Sequence, residues 1–289
     1  MDYFEPKTIG EALSLLDKYG KKAEVIAGGT DVMVDIKYKD EPGCLVNIKG
    51  IPNLDTIQEN GAGLIIGPLT TIHQIEESTL VKERVPLLWQ AAHQFASLQI
   101  RNTATIGGNI CRASPSGETL APLLVLDAQA KTTSSKGDKD VPFAAFFKGP
   151  GQTRLGPKGL LTGVSVPYPA AESHAAYLKH AVRGAMDIAM VGVAVLVTPN
   201  AGKDKLDDVR IGLGAVAPTP MRAGKTEALL KGKGLTAKLV KDAGTMAGSE
   251  SSPITDQRSS GEYRRWIVEA LTRRGLEQCW QAITGKEVA

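Results

Sequence analysis

The chain has 289 residues, 42% hydrophobic and 22% charged, which is the composition of a soluble globular protein long enough for two domains. Its net charge of +3 is too small to point to nucleic acid or a membrane surface, and no apolar run approaches the ~18 residues of a membrane span. The start, Met1-Asp2-Tyr3-Phe4-Glu5-Pro6, lacks the basic and apolar regions of a signal peptide. The three cysteines (Cys44, Cys111, Cys279) are scattered with no Cys-x-x-Cys, so no zinc or iron–sulfur site is expected. A reducing, cytoplasmic location fits.

In chain order, Thr8-Ile9-Gly10-Glu11 reads as a capping box, followed by Ala12, Leu13 and Leu16 at helical spacing, with Gly20 as the stop. Ala23–Ile26 is a strand that runs into Ala27-Gly28-Gly29-Thr30-Asp31, and Leu45–Ile48 is a second strand. Leu64–Gly67 is another strand, and Thr70–Gln74 opens a helix. Val85–Ala92 is a helix with Pro86 near its first turn. The chain then enters Thr103-Ala104-Thr105-Ile106-Gly107-Gly108-Asn109-Ile110. A turn at Ser114–Glu118 precedes a helix carrying Leu120, Leu123, Leu124 and Leu126. Residues 131–140 are polar and read as a hairpin-type loop, and Leu160–Val166 reads as a strand.

A domain boundary is expected near residue 172, giving domains 1–172, with subdomains of about 1–55 and 56–172, and 173–289. Beyond it, Ala175–Val182, Ile188–Val197 and Val209–Val216 read as three strands, followed by helices over Thr226–Lys231 and Thr236–Ala247. A second capping box, Ser259-Ser260-Gly261-Glu262, starts a last helix. Its Tyr263, Trp266, Ile267, Ala270 and Leu271 share one face; Arg264, Arg265, Arg273 and Arg274 read mostly as a solvated opposite face.

The chemistry points to the two Gly-Gly loops. Adjacent glycines permit positive φ and let backbone N–H groups converge on an anion. Either loop alone reads first as an ordinary tight turn. Two such loops, each flanked by Thr and by Asp or Asn, suggest that both close on one diphosphate. A branched side chain at Gly28 or Gly107 is then expected to collide with phosphates. Neither loop is a Walker loop or a Gly-x-Gly-x-x-Gly fingerprint. Gly212-Leu213-Gly214 follows a strand, but Pro218 and Pro220 prevent a helix from opening there, so it reads as a decoy. The four histidines are dispersed, and no catalytic acid–base pair or metal site is expected in this chain.

Four stretches together carry a resemblance: Ala27–Asp31, Arg101–Ile110, Gly214–Ala223 and Ile254–Arg265. With the order of elements, they resemble the flavin-binding subunit of the molybdenum hydroxylases, the group of xanthine, carbon monoxide and nicotinate dehydrogenases. The resemblance covers nearly the whole chain. It implies an α+β architecture: a two-subdomain FAD-binding fold of the vanillyl-alcohol-oxidase/PCMH type, then a C-terminal three-stranded antiparallel sheet with a helical bundle. The implied cofactor is FAD. The implied contacts are Val25, Ile26, Ala27, Gly28, Gly29, Thr30, Asp31 and Val32 in the first loop, and Thr105, Ile106, Gly107, Gly108 and Asn109 in the second. Glu118 stands where the family has a carboxylate, usually Asp, that touches the cofactor. Phe95 and Leu161 match positions beside the flavin ring, Lys179 a cation near it, and Arg183 and Asp187 a loop that approaches the flavin in some members.

The resemblance further implies an electron-transfer subunit with two partners, a molybdenum-cofactor large subunit and a [2Fe-2S] small subunit. Its acceptor would be NAD or another oxidant. The rival readings are a self-contained flavin alcohol oxidase and a flavin-free scaffold. The substrate is not readable here, because its pocket lies on a partner.

Overall fold

The computed structural model describes residues 1–39 and 41–288. In chain order the elements begin with β1 (Asp2–Phe4), α1 (Ile9–Tyr19), β2 (Ala23–Ile26), α2 (Val32–Tyr38), β3 (Cys44–Asn47), β4 (Ile57–Glu59), β5 (Gly63–Ile66) and α3 (Ile72–Glu77). They continue with α4 (Thr79–Arg84), α5 (Pro86–His93), α6 (Leu98–Arg101), α7 (Ile106–Arg112), α8 (Leu120–Val125), β6 (Gln129–Ser134), β7 (Gly137–Pro142), α9 (Phe143–Phe146), β8 (Phe147–Gly149), β9 (Gln152–Thr153) and β10 (Gly159–Pro167). The last group is β11 (His174–His180), β12 (Val191–Pro199), β13 (Leu206–Gly214), β14 (Met221–Arg222), α10 (Gly224–Leu230), α11 (Ala237–Glu250) and α12 (Gly261–Thr284).

The chain divides into two compact units, and neither is continuous in sequence. The first comprises Met1–Glu77, Ser97–Ala113 and Asp127–Pro167; the second comprises Ser78–Ala96, Ser114–Leu126 and Tyr168–Ala289.

In the first unit, β1 and β2 flank β3 in a parallel sheet. Helix α1 starts at the expected box: Thr8 Oγ1 accepts from Glu11 N, and the Glu11 carboxylate accepts from Lys7 N at 2.7 Å. Ala12 and Leu16 of α1 join Cys44 and Val46 of β3 in the core beneath it. A second sheet has the order β4-β5-β10-β6-β7 and is antiparallel. The polar stretch 131–140, expected as a hairpin-type loop, forms a hairpin that is strand for most of its length: it supplies most of β6 and β7, with a turn between Ser134 and Gly137. Strand β7 lies at the sheet edge and is mostly exposed, so it needs no apolar face.

In the second unit, the expected three strands become a four-stranded antiparallel sheet, β11-β12-β13-β14. After Pro218 and Pro220 the chain turns back, and Met221 and Arg222 pair with Leu213 and Gly212. Strand β12 is buried along Val191–Val197 because helices cover both faces of the sheet. Side chains alternate across the strand. Val195 faces α12, where a Cβ on Gly275 would lie 2.7 Å from Val195 Cγ2. Gly212, paired with Ala194, faces α8. Its own Cβ would stand 2.7 Å from the Ala121 carbonyl oxygen and 2.7 Å from Val125 Cγ2. The decoy glycine is therefore a packing requirement: it lets α8 lie directly on β13. Helices α11 and α12 meet in the same way, since a Cβ on Gly244 would lie 2.8 Å from the Glu269 carbonyl.

Helix α12 is capped by Ser260, one residue after the expected start, whose Oγ accepts from Tyr263 N. Arg264 does not lie on the solvated face. It is 3% exposed and donates to the carbonyls of Met190 and Ala215 and to Asp256 Oδ1. The guanidinium satisfies carbonyls at the end of the sheet that no strand reaches, which a helical-wheel reading cannot anticipate.

Replacing Gly212 with Val is expected to destabilise the protein by about 1–3 kcal/mol through overpacking. Gly224→Ala, whose Cβ has open space, is expected to be neutral or stabilising. Denaturant unfolding of the two variants checks both.

Candidate cofactor site

The first glycine loop joins β2 to α2 in the first unit. Gly29 has φ +75, a conformation that suits glycine. Gly28 meets a tighter constraint: a Cβ there would lie 2.1 Å from the Thr103 carbonyl oxygen and 3.1 Å from Ala104 Cα. The structure thus brings the first loop against the segment that leads into the second. Among the described residues, the consecutive backbone N–H groups from Gly28 to Val32 take no protein acceptor. Asp31 precedes α2 without capping it and turns its carboxylate to Arg112, with Nε at 3.4 Å. Asp35, one turn on, receives both terminal nitrogens of Arg112 and also pairs with Lys39 at 2.8 Å. Hydrogen bonding to Arg112, then to Lys39, holds the Asp35 carboxyl down at about 2.

The second Gly-Gly pair is helical rather than a loop. Thr105 is the N-cap of α7, and its Oγ1 accepts from Gly108 N at 3.0 Å. Ile106 N donates to Thr70 O, Gly107 N to Pro68 O and Asn109 N to Thr105 O. The backbone donors of this stretch are therefore committed to protein, in contrast to those of the first loop. A Cβ on Gly107 would meet Pro68 Cβ and Pro68 O, each at 2.6 Å. Gly108 is exposed, and its Cβ would meet only Thr105 Oγ1, at 3.1 Å. At 28 and 107 the close approach of neighbouring chain, Thr103 and Pro68, already requires glycine. Leu161 is buried on β10 beside a register shift, and Val25 and Ile26 lie in β2.

Phe95, Glu118 and Lys179 belong to the second unit. Lys179 projects from β11 and pairs with Glu118, Nζ to Oε1 at 2.8 Å, both side chains being about one-tenth exposed. The same ammonium donates to the carbonyls of Asp187 at 2.7 Å and Gln94 at 3.1 Å. Burial pushes the Glu118 carboxyl up, and the Lys179 charge and hydrogen bond oppose that rise. Strand β11 is a sheet edge, and α5 closes it with side chains: Gln90 bridges Ala175 O and Tyr177 N, and Gln94 Nε2 donates to Tyr177 O. Tyr177 is buried, which raises its phenol pKa well above the ordinary value, with the Glu118 charge adding to the rise. Phe95 is buried just beyond α5. Asp187 closes the turn after β11 by accepting from Arg183 N and Ile188 N.

Residues 1–169 match the family described as the FAD binding domain in molybdopterin dehydrogenase, and residues 176–279 match the CO dehydrogenase flavoprotein C-terminal domain. The chain belongs to the FAD-binding subunits of the molybdopterin dehydrogenases. The putative xanthine dehydrogenase FAD-binding subunit of Escherichia coli strain K12 is 31% identical over 289 residues, covering 98% of this chain and 97% of that one. The carbon monoxide dehydrogenase medium chain of Hydrogenophaga pseudoflava is 31% identical over 280 residues, covering 96% of each. The solved carbon monoxide dehydrogenase of that organism, in a form lacking the Mo-pyranopterin moiety, superposes with a TM-score of 0.93 at 33% identity, covering 97% of each chain. The protein is thus an oxidoreductase component with a two-domain mixed α/β flavin fold, and its cofactor is FAD.

The residues fit that cofactor. The run of uncommitted N–H groups at Gly28–Val32 is the kind of backbone concavity that holds a phosphate. Sequence reasoning missed Arg112, which ties α7 to α2, because its partner Asp35 stands 77 positions away. It also missed the backbone of Thr103 and Pro68 as the surfaces that demand glycine. His73, Glu76 and Glu77 lie close together on α3, but Arg101 Nε sits 2.7 Å from Glu76 and supplies the positive charge there.

Gly28→Ala and Gly107→Ala are each expected to lower the melting temperature of the flavin-free chain. Gly108→Ala should leave it nearly unchanged. Thermal unfolding before and after adding FAD separates packing from cofactor retention. Lys179→Met is expected to cost about 3–5 kcal/mol at neutral pH, because Glu118 is left as an unpaired buried charge. A raised carboxyl pKa contributes stability below its ordinary value, and that contribution is lost as pH rises through the folded value. Without Lys179 the Glu118 pKa rises further. The deficit of the variant should therefore shrink in mildly acidic buffer and grow toward neutrality, as read by denaturant unfolding across pH.

Proposed function

We propose that the chain is the electron-transfer subunit of a heteromeric molybdenum hydroxylase. It takes electrons from the [2Fe-2S] clusters of a small subunit, fed by a molybdenum-cofactor large subunit, and passes them to NAD or another acceptor. FAD supplies the change from one-electron to two-electron chemistry. The observation that carries this reading is the run of uncommitted backbone donors from Gly28 to Val32 at the start of α2, in a chain whose relatives include the medium chain of carbon monoxide dehydrogenase.

Within this reading the first loop, Val25 through Val32, grips the diphosphate. Thr105, Ile106, Gly107, Gly108 and Asn109 support it as a capped helical turn. Phe95 and Leu161 border the ring as apolar walls, Glu118 and Lys179 supply charge near it, and the domains divide at about residue 172. The chain's own residues bind, orient and exclude water; no acid–base step is assigned to them. Among the described residues no helix is long and apolar enough to cross a membrane, and we place the complex in the cytoplasm.

Purification from native extract under mild conditions tests the proposal. The expected preparation has flavin absorbance and contains two further chains, one with molybdenum and one with iron–sulfur clusters. A colourless chain eluting alone overturns it.

A further inference from the structure

We propose that Glu118 is a positioning residue for the flavin: it orients Lys179 and offsets its charge, so that Lys179 acts on the cofactor only through the field of the pair. This rests on the reading above that Lys179 borders the ring.

An ammonium has three donors and no acceptor. In Lys179 all three are in use, on Glu118 Oε1, the Asp187 carbonyl and the Gln94 carbonyl. None remains for a cofactor atom unless a bond is given up. What reaches the ring is therefore electrostatic. Both side chains are about one-tenth exposed, so water screens the pair weakly.

A lone cation in such a place favours the negative charge that arrives with electrons and raises the potential. A carboxylate at hydrogen-bond distance subtracts most of that effect. Among the described residues, the neighbouring ionisable groups do not take the place of Glu118. The Asp187 carboxylate is turned to the N–H groups of Arg183 and Ile188, and Tyr177 is held neutral by burial. The same ammonium ties down the carbonyl of Asp187, so the pair also fixes the turn that follows β11.

The test is the two-electron midpoint potential of the FAD-loaded complex, by dye equilibration, in Glu118→Gln, Lys179→Met and the double variant. Gln keeps the shape and the acceptor oxygen but removes the charge. Glu118→Gln is expected to shift the potential up, Lys179→Met to shift it down, and the double variant to return toward the parent. If Lys179→Met lowers the potential while Glu118→Gln leaves it unchanged, the offset by Glu118 is overturned and the cofactor reading stands. If neither moves it, Lys179 does not border the ring, and that part of the reading falls as well. Should Lys179→Met fail to fold, Glu118→Asp replaces it: retention of the parental potential by Asp, with an upward shift for Gln, supports the proposal. Equal shifts in both, or none in either, overturn it. A merely structural Glu118 changes melting temperature in these variants but not the potential.

Discussion

The first unit depends on one close approach, the backbone of Gly28 against that of Thr103 and Ala104. Any side chain at position 28 would drive β2 and its loop away from the segment that feeds α7. Between β2 and α2, the N–H groups from Gly28 to Val32 take no acceptor among the described residues. Arg112 then fixes α2 from the other side through Asp31 and Asp35. A loop that must offer donors to an anion cannot use them internally, so its shape has to be imposed by its neighbours. Here the neighbours are a backbone contact and a guanidinium.

The two glycine pairs illustrate different uses of the same residue. The pair at 28–29 combines close packing with a left-handed φ, and leaves its donors uncommitted. The pair at 107–108 opens a helix capped by Thr105 and is pressed on Pro68, with its donors spent on protein. Gly212, read as a decoy, answers to a third demand, the seating of α8 on the sheet. What separates these cases is the neighbour each missing Cβ would meet, and that neighbour lies far along the chain for 28 and 212.

Much of the architecture was legible. The capped start of α1 was marked by Thr8 and Glu11, the strands of the second unit by continuous apolar runs, and the long last helix by its cap; its expected apolar face was misplaced, since Tyr263 and Trp266 are exposed while Arg264, Val268, Leu271 and Leu276 are buried. The flavin identity came from four stretches taken together, not from periodicity. The polar edge hairpin was legible only as a hairpin-type loop and not as two strands, because an edge strand exposed to water carries no hydrophobic pattern to read. The two-residue strand β14 was not legible either, since its pairing with β13 depends on where a proline-rich turn sends the chain. Arg264 looked like one more surface arginine until its carbonyl partners from the sheet and the turn after β13 were in place.

By itself the sequence determined the local conformations and the family: caps, turn residues, apolar runs and the motif stretches are properties of neighbours in the chain. Only the tertiary structure decided which chain segments make each compact unit, why particular glycines are required, and that Lys179 is already paired with Glu118. Those facts belong to groups brought together from distant positions. Their energies come from packing distance and from weak screening in the interior, and neither is written in any short window of residues.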